Sequence, residues 1–245
     1  MAVGDILRLE WADVSEVQEG VRSALADGKR VIELEIPTTD RFKDTPLNRI
    51  NEANTLYVRE FVRMFTQPQE LCVVFTDAAE CKYAIEDWGG GPVPFKLSSL
   101  IKPQPMEASV NKYVVMNPTF DVREYSYMDD MYSSEIQPKD ATMIIFNAEL
   151  FKLRSGGLMG YYPDIIFPKL AQVRRRLMPQ VETAYYLRIF RCDCMCVCIP
   201  IHTYIPTYLH TCIHTYIHTY IHTYIHTYIH TCEIPPLQIA PLHIL

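Results

Sequence analysis

From Ile213 to Cys232 the chain reads IHTYIHTYIHTYIHTYIHTC, and this stretch holds five of its eight histidines. The other three, His202, His210 and His243, also lie beyond residue 200. As protein, the tract has two readings. In a strand, Ile and Thr alternate with His and Tyr to give two distinct faces, aggregation-prone rather than stably folded alone. On a helix, His214, His218, His222, His226 and His230 recur every fourth residue and could hold zinc or nickel in pairs. The genetic code offers a third origin. Repeated ATAC read in any frame gives Ile-His-Thr-Tyr in rotation, and Pro206, Leu209, Cys212 and Cys232 each differ from it by one base. The opposite strand of that repeat encodes Cys-Met-Tyr-Val, one substitution from Cys194-Met195-Cys196-Val197. Translated simple-repeat DNA is therefore the preferred reading of this stretch. The alternating cysteines at 192, 194, 196 and 198 are poorly spaced for a zinc finger, since successive strand side chains point to opposite faces.

Composition changes sharply near residue 190, so residues 1–190 are the unit to fold and 191–245 a low-complexity tail. Of 23 Lys and Arg only Arg191 lies past that point, and of 29 Asp and Glu only Asp193 and Glu233, leaving 22 against 27 in the body. A mildly acidic body without a clustered basic footprint disfavours nucleic-acid binding. The body has only Cys72 and Cys81, whose spacing with no signal peptide upstream points to reduced thiols. The first residues, MAVGDILRLEWADVSEVQEG, resemble neither a secretory signal nor an organelle transit segment, so the location is expected to be cytoplasmic unless a targeting segment precedes them. No apolar run is long enough for a transmembrane helix.

Periodicity predicts helices over Asp13–Ala26, Asn51–Phe65, Ala78–Glu86 with Asp77 as cap, Val122–Met131 and Pro163–Met178. In the last, Ile166, Leu170, Val173 and Leu177 share one side. Strands are expected at Arg30–Ile36, Leu71–Phe75, from Lys112 to Met116, Thr142–Phe146 and Thr183–Phe190. The unbroken apolar run Leu71–Phe75 suits burial on both faces of a parallel sheet. The alternation predicts an α/β fold: a layered, mostly parallel sheet flanked by helices, with a non-globular repeat tail.

Chemical signatures are sparse. Gly89-Gly90-Gly91 runs into Pro92 and Pro94 and no GKS or GKT follows, so it reads as a loop rather than a phosphate cradle. Ser155-Gly156-Gly157-Leu158-Met159-Gly160 lacks the full dinucleotide fingerprint. With no histidine in the body, His-based triads and HExxH zinc chemistry are excluded there. Asp129 and Asp130 cannot point the same way on a helix, and Asp44, Asp77 and Asp164 read as caps or solvated groups. Cys72 reads as a small core residue, and Cys81 has no activating histidine. Two clusters say more. Asn117 ends a strand and is followed by Asp121, Arg123 and Glu124; Asn147 ends another and is followed by Glu149 and Arg154. If both strands are parallel, these corners converge on the sheet edge where open α/β folds place ligands. The competing reading is that each Asn satisfies backbone groups at its own turn.

The stretches GKRVIELEIPTT, NEANTLYVREFVRMF, YVVMNPTFDVREYSYMDDMY, MIIFNAELFKLRSG, YYPDIIFPKLAQVRRRLMP and VETAYYLRIF resemble, in order, the DUF1995 family. The likeness covers about residues 13–190. Members of that family are plastid proteins of plants and algae, including the low photosystem II accumulation 3 type. The resemblance implies a chloroplast location and a non-catalytic accessory role, with a photosystem II assembly intermediate as partner and peripheral membrane contact. It implies no cofactor and carries no catalytic residue set. The matching polar positions are Asn117, Asp121, Arg123, Glu124, Asn147, Glu149, Arg154, Tyr162, Pro163, Lys169, Glu182, Tyr186 and Arg188. All but Pro163, Glu182 and Tyr186 are the candidates for ligand or partner binding. Family members continue past the YYLR-like strand into another strand; this chain departs from that pattern near Phe190, and an uncovered sheet edge is expected there. The alternative functions are a small-molecule or nucleotide-binding, enzyme-like domain at the Asn117 and Asn147 corners, or a metal-binding tail.

Overall fold

The computed structural model describes residues 13–36, 47–119, 121–156, 160–192 and 195–201, with backbone alone for 47–49, 188–192 and 195–201. The chain divides into two units, Met1–Thr203 and Tyr204–Leu245, and every described residue belongs to the first. The repeat tract with its histidines, Asp44, and the middle of the 155–160 glycine segment lie outside the described residues.

Three short runs, β2 (Leu71–Phe75), β4 (Lys112–Met116) and β5 (Thr142–Phe146), lack a polar face and are buried almost throughout. Such runs are stable only with both faces covered, the condition of a parallel sheet between helices. With β1 (Val31–Glu35), β3 (Lys96–Ser99), β6 (Val181–Cys192) and β7 (Met195–Ile201) they form a seven-stranded sheet in the order β3-β2-β4-β5-β1-β6-β7. The ladders among β1 to β6 are all parallel, and β7 lies antiparallel to β6. The expected layered, mostly parallel α/β fold is the one observed.

On one face, α1 (Val14–Ala26), α2 (Leu47–Phe61) and α3 (Ala78–Asp87) bury Val17, Val21, Leu56, Tyr57 and Ala84 against Ile32, Leu34, Val73, Val114 and Phe146. On the other, α4 (Val122–Met131) and α6 (Pro168–Arg176) bury Tyr125, Met128, Leu170 and Val173 against Val31, Val74, Val115 and Ile145. Asp13, Asp77 and Asp121 cap α1, α3 and α4 through side-chain oxygens that accept backbone N–H bonds, the preferred use of Asp at that position.

Four elements differ from the sequence expectation. The strand β3 lies in a segment without a strong apolar pattern; it sits at the sheet edge, where half-exposed residues suffice. Helix α2 begins before Asn51 and its last turn tightens to a 3₁₀ turn at Val62–Met64. The helix expected over Pro163–Met178 starts only at Pro168, because Pro168 fits the first helical position while holding Phe167 out of the α region (φ −123°, ψ 66°). Ile166 is consequently not on a buried helix face but exposed. Finally, β6 continues to Cys192 and β7 follows it, so the edge expected to be bare beyond Phe190 carries a further strand.

A close backbone approach between layers occurs at Gly20. The β6 ladder slips by one residue between Glu33 and Leu34 of β1, leaving Ala184 as the extra residue. A Cβ on Gly20 would meet the Ala184 carbonyl oxygen at 2.9 Å. We predict that Gly20→Val lowers stability by about 2 kcal/mol through forced separation of α1 from β6, measured by urea unfolding; an unchanged midpoint would show that α1 does not sit against this bulge.

Candidate functional site

The two asparagine corners are neighbours, because β4 and β5 are adjacent parallel strands paired through Met116 and Phe146. Both residues turn the chain with positive φ, 42° at Asn117 and 50° at Asn147, a region Asn tolerates better than other non-glycine residues. The Asn117 N–H donates to the Phe146 carbonyl (2.9 Å) and the Asn147 N–H to the Leu34 carbonyl (2.8 Å), so each corner also extends the ladder.

Their side chains do different things. Asn147 Oδ1 accepts from the Ile36 N–H at 2.6 Å, while its Nδ2 donates to Asn54 Oδ1 at 3.1 Å. One carboxamide thus ties the ends of β5 and β1 to α2. Asn117 Oδ1 is buried and has no hydrogen-bond partner, and the residue lines a cavity of about 710 Å³.

Beside Asn147, β1 carries Glu33 and Glu35, both buried, on the face toward α4 and α6. Arg154, on the one-turn helix α5 (Phe151–Arg154), reaches Glu33 with both terminal nitrogens, one at 3.2 Å, and Thr183 Oγ1 donates to the same carboxylate at 2.6 Å. Glu35 Oε2 accepts from the Glu149 N–H at 3.1 Å, and Glu149 pairs with Lys152. Burying a carboxylate is costly unless it is paired and hydrogen-bonded in this way.

The remaining candidates are spread out. Asp121 caps α4 and accepts from Arg123 Nε at 2.8 Å, and the bond holds the Asp121 carboxyl below the usual carboxylate range. Glu124 is buried in the first turn of α4. Tyr162 packs its ring on Tyr125 and Phe167, and its carbonyl accepts from Arg174 at 3.3 Å. Lys169 is exposed on α6. Arg188 lies in β6 opposite Ile199, its side chain outside the described residues. Glu182 pairs with Lys29 at 3.2 Å. Glu149 and Arg154 meet the neighbouring Glu35 and Glu33 carboxylates of β1, while the Asn147 side chain turns to Ile36 and Asn54; Asp121 with Arg123 forms a separate capping pair, and of the ten candidates only Asn117 lines the large cavity.

That cavity opens beyond the C-terminal ends of β2 and β4. Chain exits diverge there: β2 leaves through α3 toward the outer strand β3, while β4 leaves through α4 toward β5 on the other face. Such a divergence opens a crevice. Phe75, Met116 and Tyr83 supply apolar walls, and Glu52, Asp77, Glu80 and Asp87 supply carboxylates. Burial raises the Glu80 carboxyl above its ordinary range, against the lowering effect of the Thr76 N–H bond, and burial likewise raises Asp87. These four were not singled out by sequence reasoning beyond Asp77 as a cap. Only the order of β2 and β4 in the sheet makes them neighbours of Asn117.

The thiols lie elsewhere in the chemistry. Burial pushes Cys72 up to about 12 and Cys81 up to about 11, so both stay protonated near neutrality. Among the described residues no group of three or more His, Cys, Asp or Glu side chains could hold a metal ion.

The Glu33 cluster predicts its own mutational signature. Arg154→Ala should lower stability by about 3 kcal/mol, the low end for stranding a buried charge because the Arg154 side chain is 41% exposed. Chemical denaturation of Arg154→Ala beside the double variant Arg154→Ala/Glu33→Gln checks this: the double variant should recover part of the loss, and a further fall would contradict the pairing.

The chain matches no curated protein and no solved structure. The family described as Domain of unknown function (DUF1995) matches residues 10–204, which takes in every described strand and helix. The chain belongs to the DUF1995 family.

Proposed function

We propose that this chain is a non-catalytic accessory domain of the chloroplast that docks on a membrane-protein assembly intermediate, with photosystem II as the assembly. The family resemblance of the sequence supplies the compartment and the assembly. The observation that carries the docking lies in residues 160–167, just before α6. Ile165 is 80% exposed, Ile166 65% and Tyr161 60%. The loop is nonetheless anchored: Tyr162 and Phe167 pack beneath it, and Asp164 pairs with Arg174. Adjacent large apolar side chains exposed above packed aromatic rings suit a contact surface for a protein or a membrane interface. Among the described residues no helix is long and apolar enough to cross a membrane. The non-catalytic role, like the compartment, rests on the family resemblance.

A second reading, a small-molecule-binding domain, is supported by the cavity beside Asn117. Nucleotide is the less favoured ligand, since no Lys or Arg lines it among the described residues. Residues 191–245 we take to include translated simple-repeat DNA rather than a metal-binding tail. Full-length transcripts carrying the tract in frame, with matching peptides, would overturn that.

Docking is tested in thylakoid extracts. The tagged chain should co-purify photosystem II core subunits, and Ile165→Asp/Ile166→Asp should abolish this without moving the melting temperature, both side chains being exposed. Undiminished capture by the double variant, or no capture by the parent chain, would reject the proposal.

A further inference from the structure

The crevice beyond β2 and β4 is lined by four carboxylates and, among the described residues, by no Lys or Arg. Asn117 is 8% exposed, and its Oδ1 has no partner although the residue lines the crevice. Asn51, which also lines it, likewise has a buried and unpartnered Oδ1. A buried acceptor left without a donor costs free energy unless a ligand or water supplies one.

The carboxylates add a demand for positive charge; Asp77, Glu80 and Asp87 each already accept a hydrogen bond, Asp87 Oδ2 from Thr55 Oγ1 at 3.2 Å. No ion pair joins Asp77, Glu80 or Asp87 to a cation among the described residues, and neighbouring negative charge adds to the effect of burial on two of them: Asp77 on Glu80, and Glu52 on Asp87. A positive guest relieves that repulsion.

A helix N-terminus opens into the same crevice and would ordinarily favour an anion. Here two of its donors are already used. Asp77 Oδ1 accepts from the Ala79 and Glu80 N–H groups at 2.8 and 2.9 Å, and Glu80 Oε2 accepts from the Thr76 N–H at 3.2 Å. With carboxylates on those N–H groups and no Lys or Arg in the lining, the crevice is a poor match for phosphate. A bare metal ion is also a poor match, because the carboxylates do not converge into a ligand set.

We propose that this crevice is a binding site for a small organic cation, an aliphatic amine or guanidine, whose N–H groups meet Asn117 Oδ1 and the Glu80 and Asp87 carboxylates. The apolar stem of such a molecule lies along Phe75 and Met116, and the Tyr83 ring lines the same crevice in reach of its charge. The volume of about 710 Å³ accommodates a guest of polyamine size. Amine binding is independent of the docking loop and stands or falls separately from it.

Calorimetric titration of the full chain with spermidine and with agmatine is the test, alongside magnesium and ATP. Saturable binding of at least one amine is expected, with neither control competing. Glu80→Gln and Asp87→Asn keep the shape and remove the charge, and each should weaken binding about tenfold or more. Asn117→Gly, which accepts the positive φ, should do the same. Each variant's melting curve separates lost binding from lost folding. No amine binding by a cooperatively melting chain, affinity unchanged in all three variants, or displacement of the amine by ATP would overturn the proposal.

Discussion

The carboxamide of Asn147 closes a junction on which the rest of the C-terminal edge depends. It bonds at once to the backbone of Ile36 and the side chain of Asn54, residues far apart in sequence. β5 and β1 are thereby fixed at their ends, and α2 is fixed over them. That junction sets the position of Glu33 and Glu35 in the strand beside it, and so the geometry in which Arg154, Thr183 and the Glu149 N–H meet them. Buried polar groups of this kind are stable only when each is satisfied, and here the interlocking itself defines how the strands end.

Asn117 stands at the equivalent position one strand away and shares the backbone conformation, yet its oxygen is left open. The difference is topological. Asn147 lies between strands, with a backbone donor from the end of β1 close by; Asn117 lies where the paths after β2 and β4 diverge, and among the described residues no segment supplies it a donor. A single residue type therefore serves as clamp in one place and as open acceptor in the next.

Much of the frame was legible in the sequence. Apolar runs at Leu71–Phe75 and Thr142–Phe146 announced strands buried on two faces, and Asp77 announced a helix start. Two kinds of information were not. Glu33 and Glu35 alternate with Ile32, Leu34 and Ile36 as a half-exposed strand would, but both are buried, because Arg154 and the loop after β5 return to cover them; nothing local in β1 encodes that. The acidic crevice was hidden for a related reason, since Asp77 and Asp87 become neighbours of Asn117 only through the strand order. In Pro163–Met178 the helical period was real but Pro168 fixed where it could begin, which turned Ile166 outward.

The two asparagines differ in what their side chains are free to bind. Side-chain amide resonances of Asn-labelled protein, followed during addition of spermidine, test this directly. The Asn117 signals should move progressively to saturation while the Asn147 signals stay fixed and remain protected from solvent exchange. Movement of Asn147 in place of Asn117, or stationary signals from both at saturating amine, would contradict it.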